Sequence, residues 1–361
     1  MLVQLGVFNI RRRSLLFGFV VTALVLAAVF AFAVDREYFY ERGPSVELRW
    51  GRGPGAVGRG MGLDGRSLGP ECIEGQGTKA YIADTFNQRV FEVDLLSGEV
   101  RAFEGVAPGL LAVAESSLFL AGEESLWQID LSSGATVARP LPGWDLGLPE
   151  EVAAALGPVV SATTLGLSVT SGGVLIHQQA LFDSLLLDRV VLMTEDGGAR
   201  LIAGFAAGPT VPTTGYGTVP QRADSWLLTP SALYALKEGE DPFTLNLRTF
   251  DPETGELRDS FDLRLERPQR RARLVGWRGR GRVVLEIIYY DGSGSVLEIQ
   301  DKIAVREWPL EDSPIDTYHR SSVDDAGNLH FYTPNLEGLK LEVYFLVRKW
   351  RLNFLSLNTM F

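Results

Sequence analysis

From about residue 70 to the C-terminus, short stretches in which apolar and polar residues alternate recur, each bounded by a turn signal. Alternation puts the apolar side chains on one face of a strand, so segments such as "RVFEVDL" (89–95), "LWQIDL" (126–131) and "LRTFD" (247–251) read as half-buried strands. Each is followed by a second alternating stretch: "EVRAFE", "TVARPL" and "LRDSFDL". The joints share one pattern, "DLLSG" (94–98), "DLSSG" (130–134) and "DPETG" (251–255). The acid accepts hydrogen bonds from backbone amides ahead of it, and the glycine supplies a positive φ that other residues resist. "TEDGGAR" (194–200) and "YYDGSGS" (289–295) are looser versions of the same turn.

Grouped by these turns, the strands fall into units near 70–107, 108–140, 160–206, 222–264, 271–310 and 318–361. Repeats of this size, each too small to bury both of its faces alone, are the signature of a β-propeller. The pattern therefore predicts an all-β fold, a six-bladed β-propeller over residues 70–361. Two stretches break the rhythm. "PEEVAAALG" (149–157) has a proline at a first helical position, two acids in the first turn and a closing glycine, and predicts a short helix between the second and third blades. "AAGPTVPTTGYGTVPQ" (206–221) is rich enough in Gly, Pro and Thr to predict a long loop without regular structure.

The N-terminal part of the chain, residues 1–69, differs in kind. Ser14 to Val34 is 21 residues without a charge, and a helix of that length spans roughly 30 Å, the thickness of a bilayer core. The chain is thus expected to carry a single N-terminal transmembrane helix (14–34) behind a basic cytoplasmic N-terminus (1–13). Arg11, Arg12 and Arg13 precede the run, and mixed charges follow it, which places the body outside the cytoplasm at the cell membrane. The competing reading is a signal peptide cleaved near Ala33, after the small-x-small form of Ala31-Phe32-Ala33, leaving a secreted body. Residues 35–69 are glycine- and arginine-rich and read as a linker around one short strand, Val46 to Trp50.

At "GPECIEGQGTKAYIADTFNQRVFEVD" (69–94) the chain resembles NHL-repeat propellers. Gly69-Pro70, Ala83-Asp84, Asn87, Arg89 and Val90 match that repeat, and "DDAGNLHFYTPN" (324–335) matches only its turn and second strand. In closed rings of this kind an N-terminal strand often completes the last blade, so the resemblance implies that 46–50 pairs with the C-terminal blade; the tail "RLNFLSLNTMF" (351–361) is the rival for that place. The resemblance also implies an interaction module or an external sensor domain. Within the repeat, Asp84, Asn87 and Arg89 are expected to tie the turn between two strands rather than to perform chemistry.

Composition narrows the function. With 46% apolar and 10% aromatic residues the chain can bury a full core, and its formal charge of −11 argues against nucleic acid as a partner. Cys72 is the sole cysteine, which excludes an intramolecular disulfide and a structural zinc–thiolate cluster and reads as a buried, inert thiol. Of the three histidines, His177 and His330 lie within strands as bonded structural groups. His319 stands near the start of the last blade's inner strand, at one mouth of the central channel, and Glu71 and Asp224 occupy comparable places. Together these three could hold Ca2+, as in lactonase-like propellers, and would make the protein a propeller hydrolase or lyase. The leading expectation carries no cofactor.

The densest charge feature lies between Arg264 and Arg282, where Arg270, Arg271, Arg273, Arg278 and Arg280 are the candidates for an anionic partner: lipid headgroups, an acidic envelope polymer or an acidic protein face. The competing account is that these arginines pair with the chain's own surplus acids across neighbouring blades. The sequence reads best as a membrane-anchored extracytoplasmic propeller that binds a protein or ligand without catalysis, as a sensor or scaffold.

Overall fold

The computed structural model describes residues 34–352 except 63–66, 71, 105–108, 115, 123, 171, 212, 220, 280, 314 and 317–318, and the side chains of 34–37 and 348–352. Residues 1–13 and 14–33, which carry the expected basic terminus, anchor and cleavage point, lie outside the described residues. Among the described residues no helix is long and apolar enough to cross a membrane. The chain divides into a compact unit, Arg42–Phe345, and a second one made of Met1–Glu41 with Leu346–Phe361. In the second unit the described residues are the opening of the first strand and the end of the last.

The strands follow the alternating pattern. After β1 (Val34–Arg49) come the two-residue β2 (Gly60–Met61) and β3 (Ser67–Leu68). Blade one is β4 (Cys72–Gln76), β5 (Lys79–Asp84), β6 (Arg89–Asp94) and β7 (Val100–Glu104). Blade two is β8 (Leu110–Val113), β9 (Ser117–Ala121), β10 (Ser125–Asp130) and β11 (Thr136–Pro140). The helix α1 (Glu150–Ala155) follows, with Glu150 and Glu151 in its first turn and Val152 buried. Blade three is β12 (Val159–Thr170), β13 (Gly173–Phe182), β14 (Leu186–Met193), β15 (Ala199–Ala207) and a fifth strand, β16 (Thr214–Tyr216). That last strand corrects the expectation of an irregular loop over 206–221. A Cβ on Gly204 would lie 2.0 Å from the Tyr216 ring, so the glycine opens the space into which Tyr216 buries and the segment docks as a strand.

Blade four is β17 (Ser225–Leu228), β18 (Leu233–Glu238), β19 (Thr244–Phe250) and β20 (Leu257–Arg264). Blade five is β21 (Gln269–Trp277), β22 (Val283–Tyr289), β23 (Gly294–Gln300) and β24 (Ile303–Leu310). After β25 (Ile315–Asp316), which pairs in parallel with β3, blade six is β26 (Ser321–Val323), β27 (Leu329–Pro334), β28 (Gly338–Leu352) and, outermost, β1. The innermost strands β4, β8, β12, β17, β21 and β26 touch one another in a closed cycle. The protein is a six-bladed β-propeller.

The ring closes through β1. The strand that the sequence limits to 46–50 runs from Val34, and Trp50 falls just beyond it, in an isolated bridge to Val57. Leu48 is buried with Leu339, Leu341 and Val343 of β28, and Arg42 pairs with Glu342. A Cβ on Gly338 would lie 2.1 Å from the Leu48 carbonyl oxygen, so only glycine admits the strands at this spacing. Within the rival tail, Arg351 and Leu352 end β28 and 353–361 lie outside the described residues.

Among the described residues, five clusters of buried apolar side chains fill five of the six seams between blades. Ile73 and Phe91 meet Leu339 and Leu341 between blades one and six; Cys72 and Tyr81 meet Leu111 and Leu120 between one and two. Leu126 meets Ile176 and Phe182, Val190 meets Trp226 and Phe250, and Leu247 meets Leu285 and Ile287 at the next three. The seam between blades five and six is crossed by buried polar bonds, described below.

The turns behave as their sequences demand. Asp94 Oδ1 accepts from the amides of Leu96 and Ser97 at 2.8 and 3.0 Å, and Asp251 Oδ1 from Glu253 and Thr254 at 2.9 and 2.8 Å. Gly98 and Gly255 sit at φ of 74° and 72°. The Asp84, Asn87 and Arg89 group reaches further than the turn it was expected to tie. Asp84 Oδ1 accepts from the Gly58 amide at 3.0 Å and Oδ2 from Asn87 Nδ2 at 2.7 Å. Asn87 Nδ2 also donates to the Gly51 carbonyl at 3.0 Å, and Arg89 Nη2 to the Gly53 and Ala56 carbonyls at 3.0 and 2.8 Å. The motif therefore fastens the 51–58 segment onto blade one, with Asp84 fully buried beneath it.

Candidate functional site

The inner strands surround a central cavity of about 690 Å3. Glu74, Asp224, Glu238, Arg271, Trp277 and His319 are among the groups on its wall, drawn from blades one, four, five and six. Its chemistry concentrates where blades one and six meet.

On β4, residues two apart share a face, so Cys72 and Glu74 project to the same side. The backbone just after Glu74 is pinned to blade six. The Gly75 amide donates to Ser322 Oγ at 3.0 Å and the Gly77 amide to Asp324 Oδ2 at 2.8 Å, and a Cβ on Gly75 would lie 2.1 Å from the His330 ring. This registration brings His319, which precedes β26, against Cys72. His319 Nδ1 lies 3.0 Å from Cys72 Sγ and 3.7 Å from Glu74 Oε1. The thiol also lies 3.6 Å from the Leu111 carbonyl. Cys72 is completely buried, whereas His319 and Glu74 reach the cavity wall.

Behind this group lies an ion pair of blade five whose further hydrogen bonds cross the seam to blade six. Arg273 Nε is 3.1 Å from Glu286 Oε1, and Arg273 Nη2 donates to Glu286 Oε2 at 3.3 Å and to the Ser321 carbonyl. Glu286 Oε2 also accepts from the Arg320 amide at 3.0 Å and Ser321 Oγ at 2.6 Å. Ser322 Oγ meets the hydroxyl of the fully buried Tyr332.

The titration behaviour follows from this arrangement. Burial pushes the Glu74 carboxyl up to about 8, against the opposing pull of the Arg273 guanidinium and the Ser322 hydroxyl. Burial, followed by the Arg273 and Arg271 charges, holds His319 well below the ordinary imidazole value, so the ring is neutral at pH 7. Glu286 moves the other way: burial opposes its ionisation, and the Arg273 and Arg271 charges overcome that opposition and lower it. Two buried carboxyls, Glu74 on the wall and Glu286 behind it, are thus driven apart, Glu286 toward the anion and Glu74 toward the neutral acid.

The sequence candidates fall into separate places. Among the described residues, the group of three His, Cys, Asp or Glu side chains whose ligating atoms lie within 4.8 Å of one another is Cys72, Glu74 and His319. His319 is thus brought to a convergent group, with Cys72 and Glu74 as its companions. Asp224 lies on the cavity wall outside that group, where its Oδ2 accepts from the Glu238 amide at 2.7 Å. Glu71 lies outside the described residues. His177 is bonded to Asp188 at 2.7 Å, and His330 is fully buried 3.5 Å from Asp324.

The arginines do not form one patch. Arg270 is exposed and Arg271 lines the cavity. Arg273 pairs with Glu286 as above, and Arg278 lies 2.9 Å from Glu298, which Arg282 also meets at 3.1 Å. Arg280 lies outside the described residues. The acids that meet Arg273 and Arg278 come from β22 and β23 of the same blade, whereas pairing by surplus acids would place them across neighbouring blades.

No protein-family model matches the chain, and no curated protein matches it. Solved structures resemble it at the level of the ring. A streptogramin B lyase is 12% identical over 86% of this chain and 98% of its own, with a TM-score of 0.45. A calcium-binding protein, regucalcin, from Agrobacterium tumefaciens is 11% identical over 77% and 90%, with a TM-score of 0.43. A chain of the mitotic checkpoint complex is 12% identical over 86% and 93%, with a TM-score of 0.48. At these values the likenesses carry no argument about function, and the site is read from its own geometry.

Sequence reasoning missed Cys72 and Glu74. A signal for them existed: in a ring closed by β1, blade six is the neighbour of blade one, so a histidine at the start of blade six's inner strand faces the first strand of blade one.

Proposed function

We propose that this chain is an NHL-type propeller that binds a small polar ligand in its central channel, held outside the cytoplasm by the apolar segment 14–34 and acting without catalysis as a sensor or scaffold. The cavity carries this reading. At about 690 Å3 it falls within the range of small-molecule sites, and it sets Trp226 and Trp277 beside charged groups of both signs, Arg271, Asp224 and Glu238. Aromatic faces with a few oriented polar groups are the usual composition of such a pocket. A protein or envelope-polymer partner would receive the signal.

Native mass spectrometry of the full chain, extracted in detergent from its own membranes, tests the reading. The expected result is a co-purifying small molecule that is absent from a Val275→Trp variant, because Val275 lines the cavity and an indole there fills it. Equal recovery from both proteins overturns it. A second reading, a channel hydrolase or lyase, is favoured by the acid and imidazole that meet at the wall, Glu74 and His319. It predicts that the co-purified molecule changes mass on standing with the wild-type chain, which the same mass spectrometry reads.

A further inference from the structure

We infer that Cys72, Glu74 and His319 form a binding site for a divalent transition metal of zinc's class, with its open coordination position facing the central channel. The argument is one of convergence. Both the thiol and the carboxylate approach the same ring nitrogen, Nδ1 of His319, at 3.0 and 3.7 Å. In a thiol–imidazole catalytic pair the orienting group holds the other ring nitrogen, so that one nitrogen serves the nucleophile and the other the orienter. Three groups crowded around a single point have instead the arrangement of ligands about a common centre. A tetrahedral ion with bonds of 2.0–2.3 Å sets its ligands about 3.3–3.7 Å apart. The two measured separations bracket that spacing, and all three ligating atoms lie within 4.8 Å of one another.

The donor set chooses the metal. A thiolate, an imidazole and a carboxylate suit zinc or cobalt(II), whereas calcium takes six or more oxygens and has no use for sulfur. Three protein ligands leave the fourth position to water or a ligand. Glu74 and His319 line the cavity, while Cys72 is completely buried behind them, so that position opens toward the channel. Burial of the sulfur also argues against its service as a nucleophile. The Arg273 charge nearby is held by Glu286, which spares the site the full repulsion of a cation. As the ligand–metal bonds form, the Cys72 thiol proton and the Glu74 carboxyl proton leave to solvent. The inference does not depend on what the channel takes, and its test uses metal alone, so the two can fail separately.

The full chain, purified in detergent under reducing conditions and freed of metal, is titrated with Co2+. One equivalent is expected to bind with tetrahedral visible bands and a sulfur-to-cobalt charge-transfer band, displaced by Zn2+ and untouched by excess Ca2+. Cys72→Ser should abolish the charge-transfer band, and Glu74→Gln should weaken Co2+ binding at least about tenfold. Circular dichroism confirms that each variant is folded; should Cys72→Ser fail to fold, Glu74→Gln and His319→Gln carry the test through affinity. Absence of the charge-transfer band in the wild type, a band retained by Cys72→Ser, or wild-type affinity in both Glu74→Gln and His319→Gln overturns the inference.

Discussion

Blade one carries two polar clusters that look alike in composition and differ in what surrounds them. In the Asp84, Asn87 and Arg89 cluster, the bonds described run to the backbone of residues 51–58 or between the members themselves. In the cluster on β4, Cys72 and Glu74 meet a histidine 247 and 245 positions away in the chain; burial pushes the Glu74 carboxyl up, while the Arg273 and Arg271 charges hold Glu286 behind it down against burial. The first cluster is closed and local. The second is assembled by the ring and opens on a cavity. Proximity of polar residues along the chain therefore marks fastening here, whereas the proposed metal site needs proximity across the ring.

The contrast can be broken most forcefully at the ion pair behind the second cluster. Arg273→Ala leaves Glu286, 1% exposed, without its counter-charge, and a loss of about 3–5 kcal/mol in urea unfolding is expected. A loss below about 1 kcal/mol would mean that the seam between blades five and six does not depend on the pair. Asp84→Ala comes next. It strands the Gly58 amide and the Asn87 side chain under the 51–58 segment and should cost about 1–3 kcal/mol. Its Co2+ titration should stay at the wild-type level; weakened metal binding would show that the two clusters are coupled. Glu74→Gln is the converse, expected to shift the unfolding free energy by less than about 1 kcal/mol while changing what the channel wall binds.

The smallest effect concerns the turns. Asp130 and Asp251 are held down to about 2, the first chiefly by the Ser132 hydroxyl and the second by the Thr254 amide. A carboxylate lowered on folding stabilises the fold above its unfolded value and loses that contribution as pH falls through the folded one. The stability difference between wild type and the double variant Asp130→Asn, Asp251→Asn should thus be full above about pH 4 and fade toward pH 2. Urea midpoints at pH 6 and pH 3 check this, and a difference independent of pH would sink it.

Legibility in the sequence followed the distance over which each feature is decided. The strands and the "DLLSG", "DLSSG" and "DPETG" turns depend on five to eight consecutive residues and could be read directly, as could the helix after Pro149. Strand β16 could not, because its order comes from a ring buried against Gly204 rather than from its own Gly- and Thr-rich residues. The channel group was hidden more deeply. A lone cysteine has no local signature, and its pairing with His319 exists only once blades one and six are side by side. Arg273 and Arg278 show a related effect: along the chain they belong to a basic run, and across the sheet they face Glu286 and Glu298.

Closure by β1 has a consequence for how the molecule is made. Leu48 finishes its burial against Leu339 and Leu341, about 290 residues later in a chain that emerges from the ribosome at roughly 5–20 residues per second. For a span on the order of 15–60 seconds the first strand therefore waits as an unpaired edge, and the thiol and imidazole of the channel wall remain strangers. Every nascent copy is an open arc whose two ends must find each other before it becomes a vessel.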